Sequence, residues 1–121
     1  MRECKFGFLQ DKKKSKFLYM FKDIKDLDIE YFTEIDKVKS FNAVVVSVKS
    51  FVENYDLFNK LFITNNIKYF VLISKKIKIK AHNKLLYEPM VIKTISRDIP
   101  LKKISELMWG YKEYFTCDSE R

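Results

Sequence analysis

The side chains best placed for chemistry in this chain stand where predicted strands end. Asp11 follows the apolar run KFGFL, Ser47 follows the unbroken run AVVV, and Ser74 follows IKYFVLI. Lys93 lies near the end of the last predicted strand. A carboxylate can hold a divalent cation or accept a phosphoryl group, whereas a serine hydroxyl needs a neighbouring base to become a nucleophile. Because open α/β folds usually keep their functional site at the carboxyl ends of the strands, these positions form one candidate site.

The sequence around this site supports no catalysis. Neither a His nor a carboxylate adjoins Ser47, whose position is typical of a capping or turn serine. Asp11 stands beside consecutive lysines and is a weak cation ligand, and the single His82 lies in a polar Lys/Asn segment typical of a solvated side chain. We therefore predict a protein that is not an enzyme, with no cofactor, bound metal or small-molecule substrate. A nuclease-type enzyme using Glu88 and Lys93 is the least supported alternative, since no paired carboxylates accompany them.

Hydrophobic periodicity predicts the elements that position these residues. A short β-branched run such as 43–46 indicates a strand covered on both faces, and Ser50-Phe51-Val52-Glu53 matches a capping box that opens a helix. Apolar residues at helical spacing predict helices over 13–26, 36–41, 50–65 and from Pro100 onward. The remaining predicted strands are 5–9, 29–33, 67–73 and 90–95.

Alternating strands and helices with short connections predict one α/β domain over 1–121, three layers thick, with a five-stranded parallel sheet flanked by helices. An antiparallel hairpin within 75–95 is the alternative, and it would give an α+β domain. The 121 residues carry a net charge of +8, and the two cysteines with one His cannot assemble a structural zinc site. Neither a signal peptide nor a membrane-spanning run is evident, so we expect a cytoplasmic protein with reduced thiols.

This order of elements resembles the receiver domain of two-component response regulators, which has a flavodoxin-like fold. The resemblance covers nearly the whole chain but departs at the motifs. Gln10 and Asp11 stand where receivers have two acidic residues, and Ser47 replaces the phosphoacceptor Asp. Ser74 and Lys93 match the family's Ser/Thr and Lys, although Thr94 replaces the usual Pro. The resemblance therefore implies an atypical, degenerate receiver that works without phosphorylation.

The resemblance also implies how such a domain acts. In receivers, the face formed by the fourth helix, fifth strand and fifth helix commonly mediates dimerisation, so we expect a homodimer that controls an output such as DNA binding and transcription through a domain not present here. The chain would then be the N-terminal part of a longer regulator. The expected interface residues are Met90, Arg97, Lys102, Leu107, Trp109 and Tyr111.

Two lysine-rich segments favour a different class of function. The lysines follow predicted strand ends and form a basic patch of Lys12, Lys13, Lys14, Lys75, Lys76 and Lys78. The patch could be a solvated rim, or it could bind an acidic partner or a phosphate backbone. Few aromatic residues interleave with these lysines, which argues against stacking on single strands. A small basic nucleic-acid-binding or phage/host-interaction protein is therefore the alternative function.

Overall fold

The computed structural model describes residues 3–11, 16–25, 27–73, 88–96 and 98–119. Its elements in chain order are β1 (Phe6–Leu9), α1 (Lys16–Lys22), β2 (Ile29–Phe32), a 3-10 helix (Ile35–Ser40), β3 (Ala43–Ser47), α2 (Val48–Glu53), α3 (Tyr55–Asn65), β4 (Lys68–Ile73), β5 (Val91–Ser96) and α4 (Leu101–Ser119).

The five strands form one sheet in the order β2-β1-β3-β4-β5, and every neighbouring pair is parallel. Helices cover both faces, so the predicted three-layer α/β class is confirmed, and the strand order is that of flavodoxin-like folds. Because β5 pairs in parallel with β4, the α+β alternative for the domain is wrong. The hairpin predicted within 75–95 falls largely on residues 74–87, which lie outside the described part of the chain.

The two faces of the sheet bury separate apolar clusters. Helices α1 and α4 cover one face, where Phe21 and Met108 pack with strand residues such as Phe70. The 3-10 helix, α2 and α3 cover the other face, where Phe51 and Phe58 pack against β4. All four apolar residues of β3 at 43–46 are fully buried, as the continuous apolar run predicts.

Gly7 allows the second cluster to close over β1. The rings of Phe32 and Phe41 stack with their centroids 4.9 Å apart. A Cβ atom at Gly7 would lie 2.7 Å from Cδ2 of Phe41 and 2.8 Å from Cε1 of Phe32. Such distances are far below van der Waals contact, so the stacked pair requires glycine at this position.

The helices differ from the sequence prediction after β3. The predicted capping box at Ser50 is wrong, because Ser47 is the N-cap of α2 and Ser50 lies one turn inside the helix. The single helix predicted over 50–65 is instead two helices that meet at Asn54, whose backbone leaves the helical region with φ −116° and ψ 26°. The amide N–H and the side-chain Nδ2 of Asn54 both donate to the carbonyl oxygen of Ser50, at 3.0 and 2.9 Å.

Smaller differences concern the ends of other elements. The short helix predicted over 36–41 is a 3-10 helix, and β5 ends at Ser96 rather than at residue 95. Helix α3 ends where predicted, at Asn65, because Asn66 adopts the left-handed conformation with φ 56° and its N–H donates to the last-turn carbonyls of Leu61 and Phe62.

Candidate functional site at the carboxyl edge

The candidate site lies between the carboxyl ends of β1 and β3. These strands are neighbours in the sheet, yet the chain leaves β1 toward β2 on one side and returns to β3 on the other. Such a reversal of strand order opens a crevice, and in open α/β sheets it is where ligands bind. Asp11 follows β1 and Ser47 ends β3, so the fold brings these two predicted residues to one crevice.

Ser47 is the N-cap residue of α2. Its backbone is extended, with φ −72° and ψ 156°, and its Oγ accepts a 3.1 Å hydrogen bond from the N–H of Ser50. Capping satisfies one of the backbone donors that a helix leaves unpaired at its start. Within the described ranges, neither a His nor a carboxylate accepts a hydrogen bond from this hydroxyl.

Asp11 is tied to the same helix. The hydroxyl of Ser50 donates a 2.6 Å hydrogen bond to Oδ1 of Asp11, which joins the segment after β1 to the first turn of α2. The sequence predicts only a capping role for Ser50 and does not predict this contact. The capping role of Ser47 was predicted from its position after a strand, but the contact between residues 11 and 50 has no local signal.

A small pocket of about 210 Å³ opens at this crevice, and its walls are mostly apolar. Leu72 of β4 stands level with Ser47 in the sheet and forms part of the wall. The lining residues are Phe8, Leu9, Asp11, Phe17, Ser47, Val48, Lys49 and Leu72. Such walls suit an apolar group better than a phosphoryl group with its cation.

The other predicted site residues do not reach this pocket within the described structure. Lys93 does not end β5: it pairs with Phe70, two register positions before Ile95, the β5 residue that pairs with Leu72. At about 3.3 Å per residue this places Lys93 about 7 Å short of the level of Ser47, and its side chain is exposed. The N–H of Gln10 donates to the carbonyl oxygen of Phe32 at 2.8 Å. Ser74 lies outside the described residues.

A metal centre finds no support in the described ranges, where no group of three or more His, Cys, Asp or Glu side chains could hold an ion. Glu88, which the least supported alternative placed at a metal site, accepts hydrogen bonds from the hydroxyl of Tyr55, 3.0 Å from each carboxylate oxygen. These bonds and the carboxylate charge raise the pKa of Tyr55. The contact joins the segment before β5 to α3.

The predicted interface residues occupy three kinds of position. Met90 is 1% exposed and belongs to the apolar core, so its side chain offers no surface to a partner. Tyr111 is half-buried and packs on Phe6 and Phe70, with ring centroids 6.4 and 5.9 Å away. The surface residues are Lys102, which is exposed, and Leu107 and Trp109, which are half-buried. Arg97 lies outside the described residues.

The basic patch also lies outside the described residues, but the strands before it do not. Lys12, Lys13 and Lys14 follow β1, and Lys75, Lys76 and Lys78 follow β4. Strands β1 and β4 lie on either side of β3, and all three run parallel. The chain therefore leaves both strands at the same edge of the sheet, the edge that holds the crevice.

The fold and the crevice define a flavodoxin-like α/β domain whose carboxyl-edge pocket is apolar and carries two charged side chains. Comparisons with known proteins add no family: no protein-family model, no curated protein and no solved structure matches the chain. In the described part of the chain, no helix combines the length and the apolar character needed to cross a membrane.

Proposed function

We propose that this chain is a non-enzymatic regulatory domain, similar to an atypical receiver, that acts through protein contacts and not through phosphorylation. In this proposal it forms a homodimer through β5 and the outer side of α4, and dimerisation controls an output such as DNA binding. The main observation behind the proposal is that Ser50 donates hydrogen bonds to both Ser47 and Asp11. Both side chains therefore have structural roles.

The chemistry of phosphoryl transfer supports this view. A receiver-type reaction needs a free carboxylate as acceptor and a divalent cation to neutralise the incoming charge. Here a capping hydroxyl stands at the acceptor position, one exposed carboxylate lies nearby, and Lys93 sits away from the edge. Among the described residues, Asp11 is the one carboxylate that lines this crevice, and no group of three or more His, Cys, Asp or Glu side chains could hold an ion.

The outer side of α4 has the composition of a self-association surface. Leu107 and Trp109 are half-buried and do not belong to either core cluster, and Tyr114 is 59% exposed. Gly110 is exposed in the middle of this helix, and a Cβ atom there would meet nothing within 4 Å. A glycine in a helix costs about 0.5–1 kcal/mol relative to alanine, and its lack of a side chain would allow a second helix to approach closely.

The charges on this side of α4 are compatible with a two-fold symmetric pairing. Lys103, Glu106, Gly110 and Glu113 are all exposed and recur at intervals of three and four residues, so they form one stripe. If two copies of α4 pair antiparallel, Lys103 of one copy faces Glu113 of the other, and the contact occurs twice because a two-fold interface is self-complementary.

Sedimentation equilibrium of the full chain over a wide concentration range tests this proposal. The expected result is a monomer–dimer equilibrium that Leu107→Glu shifts to monomer, because a charge would be buried at the interface. The control variant is Val52→Glu, at a side chain 61% exposed on α2 across the sheet, which should leave the dimer intact. Circular dichroism checks that both variants fold. A wild-type chain that stays monomeric at all concentrations would refute the proposal.

A second candidate function is nucleic-acid binding, which the shared edge of β1 and β4 favours. Residues 12–16 and 74–87 contain nine lysines and no Asp or Glu, and each segment follows one of these strands. Duplex DNA binding through these lysines should weaken steeply with salt, because each neutralised phosphate releases condensed counterions. Lys76→Glu together with Lys78→Glu should weaken DNA binding further. DNA binding that changes neither with salt nor with these substitutions would exclude this function.

A further inference from the structure

The carboxyl-edge pocket combines an apolar wall with two opposite charges. Phe8, Phe17 and Leu72 supply the wall, while the carboxylate of Asp11 and the ammonium-bearing side chain of Lys49 also line the space. Both charged side chains are exposed. Binding sites for small molecules typically have this composition, a mostly apolar wall with a few polar groups that fix the orientation of the ligand.

Neither charge is neutralised by the described part of the chain. Oδ1 of Asp11 accepts from the hydroxyl of Ser50, which leaves Oδ2 available as an acceptor. Lys37 and Glu34 form an ion pair, and neither Asp11 nor Lys49 takes part in it. Within the described part of the chain, the pocket therefore presents one carboxylate oxygen and one ammonium group without a partner of opposite charge.

The volume of the pocket limits the size of the ligand that it can bind. Its volume of about 210 Å³ is below the range of roughly 300–1,000 Å³ that is usual for sites of drug-sized molecules. A nucleotide is too large for this space, and a single ring or a branched aliphatic group fits it better. Opposite charges at the rim favour a ligand that carries both a cation and an anion.

We propose that this pocket binds a small zwitterion with an apolar side chain, of the chemical class of an aromatic or branched aliphatic α-amino acid. The ammonium group of the ligand donates to Asp11, its carboxylate pairs with Lys49, and its side chain packs on Phe8, Phe17 and Leu72. The bound molecule is a ligand and not a substrate in this proposal, because Ser47 caps α2 and Asp11 accepts a hydrogen bond from Ser50.

Three probes that share one ring distinguish the parts of this proposal. L-phenylalanine carries both charges, phenethylamine only the cation and 3-phenylpropionate only the anion. Each is titrated into the full ¹⁵N-labelled chain while amide chemical shifts are measured by NMR. We expect saturable shifts around Phe8, Ser47 and Leu72 with all three probes, and the tightest binding with L-phenylalanine.

Two charge-neutralising variants assign the contacts. Asp11→Asn should weaken the binding of L-phenylalanine and phenethylamine by at least about tenfold. It should leave the affinity for 3-phenylpropionate unchanged. An asparagine can still accept the hydrogen bond from Ser50, so the fold should persist. Lys49→Gln should weaken the binding of L-phenylalanine and 3-phenylpropionate to a similar extent. It should leave the affinity for phenethylamine unchanged.

Matched controls are Asp36→Asn and Lys39→Gln, which neutralise exposed charges on the 3-10 helix and should leave all three affinities unchanged. The proposal is overturned if no probe gives saturable shifts up to its solubility limit. It is also overturned if the shifts map away from the pocket, or if the Asp11 and Lys49 variants bind all three probes as the wild type does.

Discussion

The hydroxyl of Ser50 donates a 2.6 Å hydrogen bond to Oδ1 of Asp11, across 39 positions of the chain. The N–H of the same serine donates to Oγ of Ser47. Ser50 therefore joins the ends of β1 and β3 through the first turn of α2. Asp11 and Ser47 therefore both contact the first turn of α2.

Replacing Ser47 with alanine tests the capping role. Ser47→Ala removes the acceptor for the N–H of Ser50 and should lower the free energy of unfolding by about 1 kcal/mol. Urea denaturation measures the change, and Ser47→Asn, which retains a capping oxygen, should recover most of it. Sedimentation of Ser47→Ala should show unchanged self-association, and a loss of association would contradict a phosphorylation-independent role.

Exchanging the two glycines for alanine should change stability in opposite directions. Gly7→Ala places a Cβ atom against the rings of Phe32 and Phe41, and such overpacking should cost about 1–3 kcal/mol. Gly110→Ala adds a methyl group that meets nothing within 4 Å, and it should stabilise the helix by about 0.5–1 kcal/mol. Urea denaturation at low protein concentration, where any dimer is dissociated, compares the two. Equal effects would show that the contact at Gly7 relaxes freely.

The buried thiol of Cys4 should make stability fall in alkaline solution. Burial raises the pKa of this thiol from 9.0 to about 11, against a smaller lowering by the charge of Lys112. Between these values the unfolded chain has lost the proton and the folded chain keeps it, so the free energy of unfolding decreases as pH rises from about 9 to about 11. Denaturation at several pH values should show a shallower decrease for Cys4→Ala.

The exposed Cys117 supplies the control for this experiment. Cys117→Ala removes a thiol on the surface, so it separates the general effect of losing a cysteine from the effect of losing the buried one. Burial also raises the pKa of Tyr69, so a residual alkaline decrease should remain in the Cys4→Ala variant. An identical pH dependence in Cys4→Ala and wild type would contradict the assignment to Cys4.

A charge exchange on α4 tests the antiparallel pairing. Lys103→Glu and Glu113→Lys each create like charges across the proposed interface, and each should raise the dimer dissociation constant several-fold. The double variant restores opposite charges and should recover the wild-type constant. Sedimentation equilibrium at low ionic strength measures all four proteins, because salt screens exposed pairs. Additive weakening in the double variant would exclude this pairing.

Local sequence patterns identified most of the elements for a physical reason. The residues at 43–46 are uniformly apolar and β-branched, and a strand buried on both faces needs that composition. Asn66 is a residue type that tolerates the left-handed conformation, so the end of α3 was also predictable. The break at Asn54 was missed because the apolar spacing of Phe51, Tyr55 and Phe58 continues through it.

The α/β class, the parallel sheet and the positions of Asp11 and Ser47 after strands were predictable, because they follow from hydrophobic periodicity and from local backbone preferences. Which of the candidate residues meet depends on how the elements pack. The register of β4 against β5 sets Lys93 back from the edge, and the packing of α2 brings Ser50 to Asp11. Such contacts join residues far apart in the chain, and their energies depend on distances that no local pattern specifies.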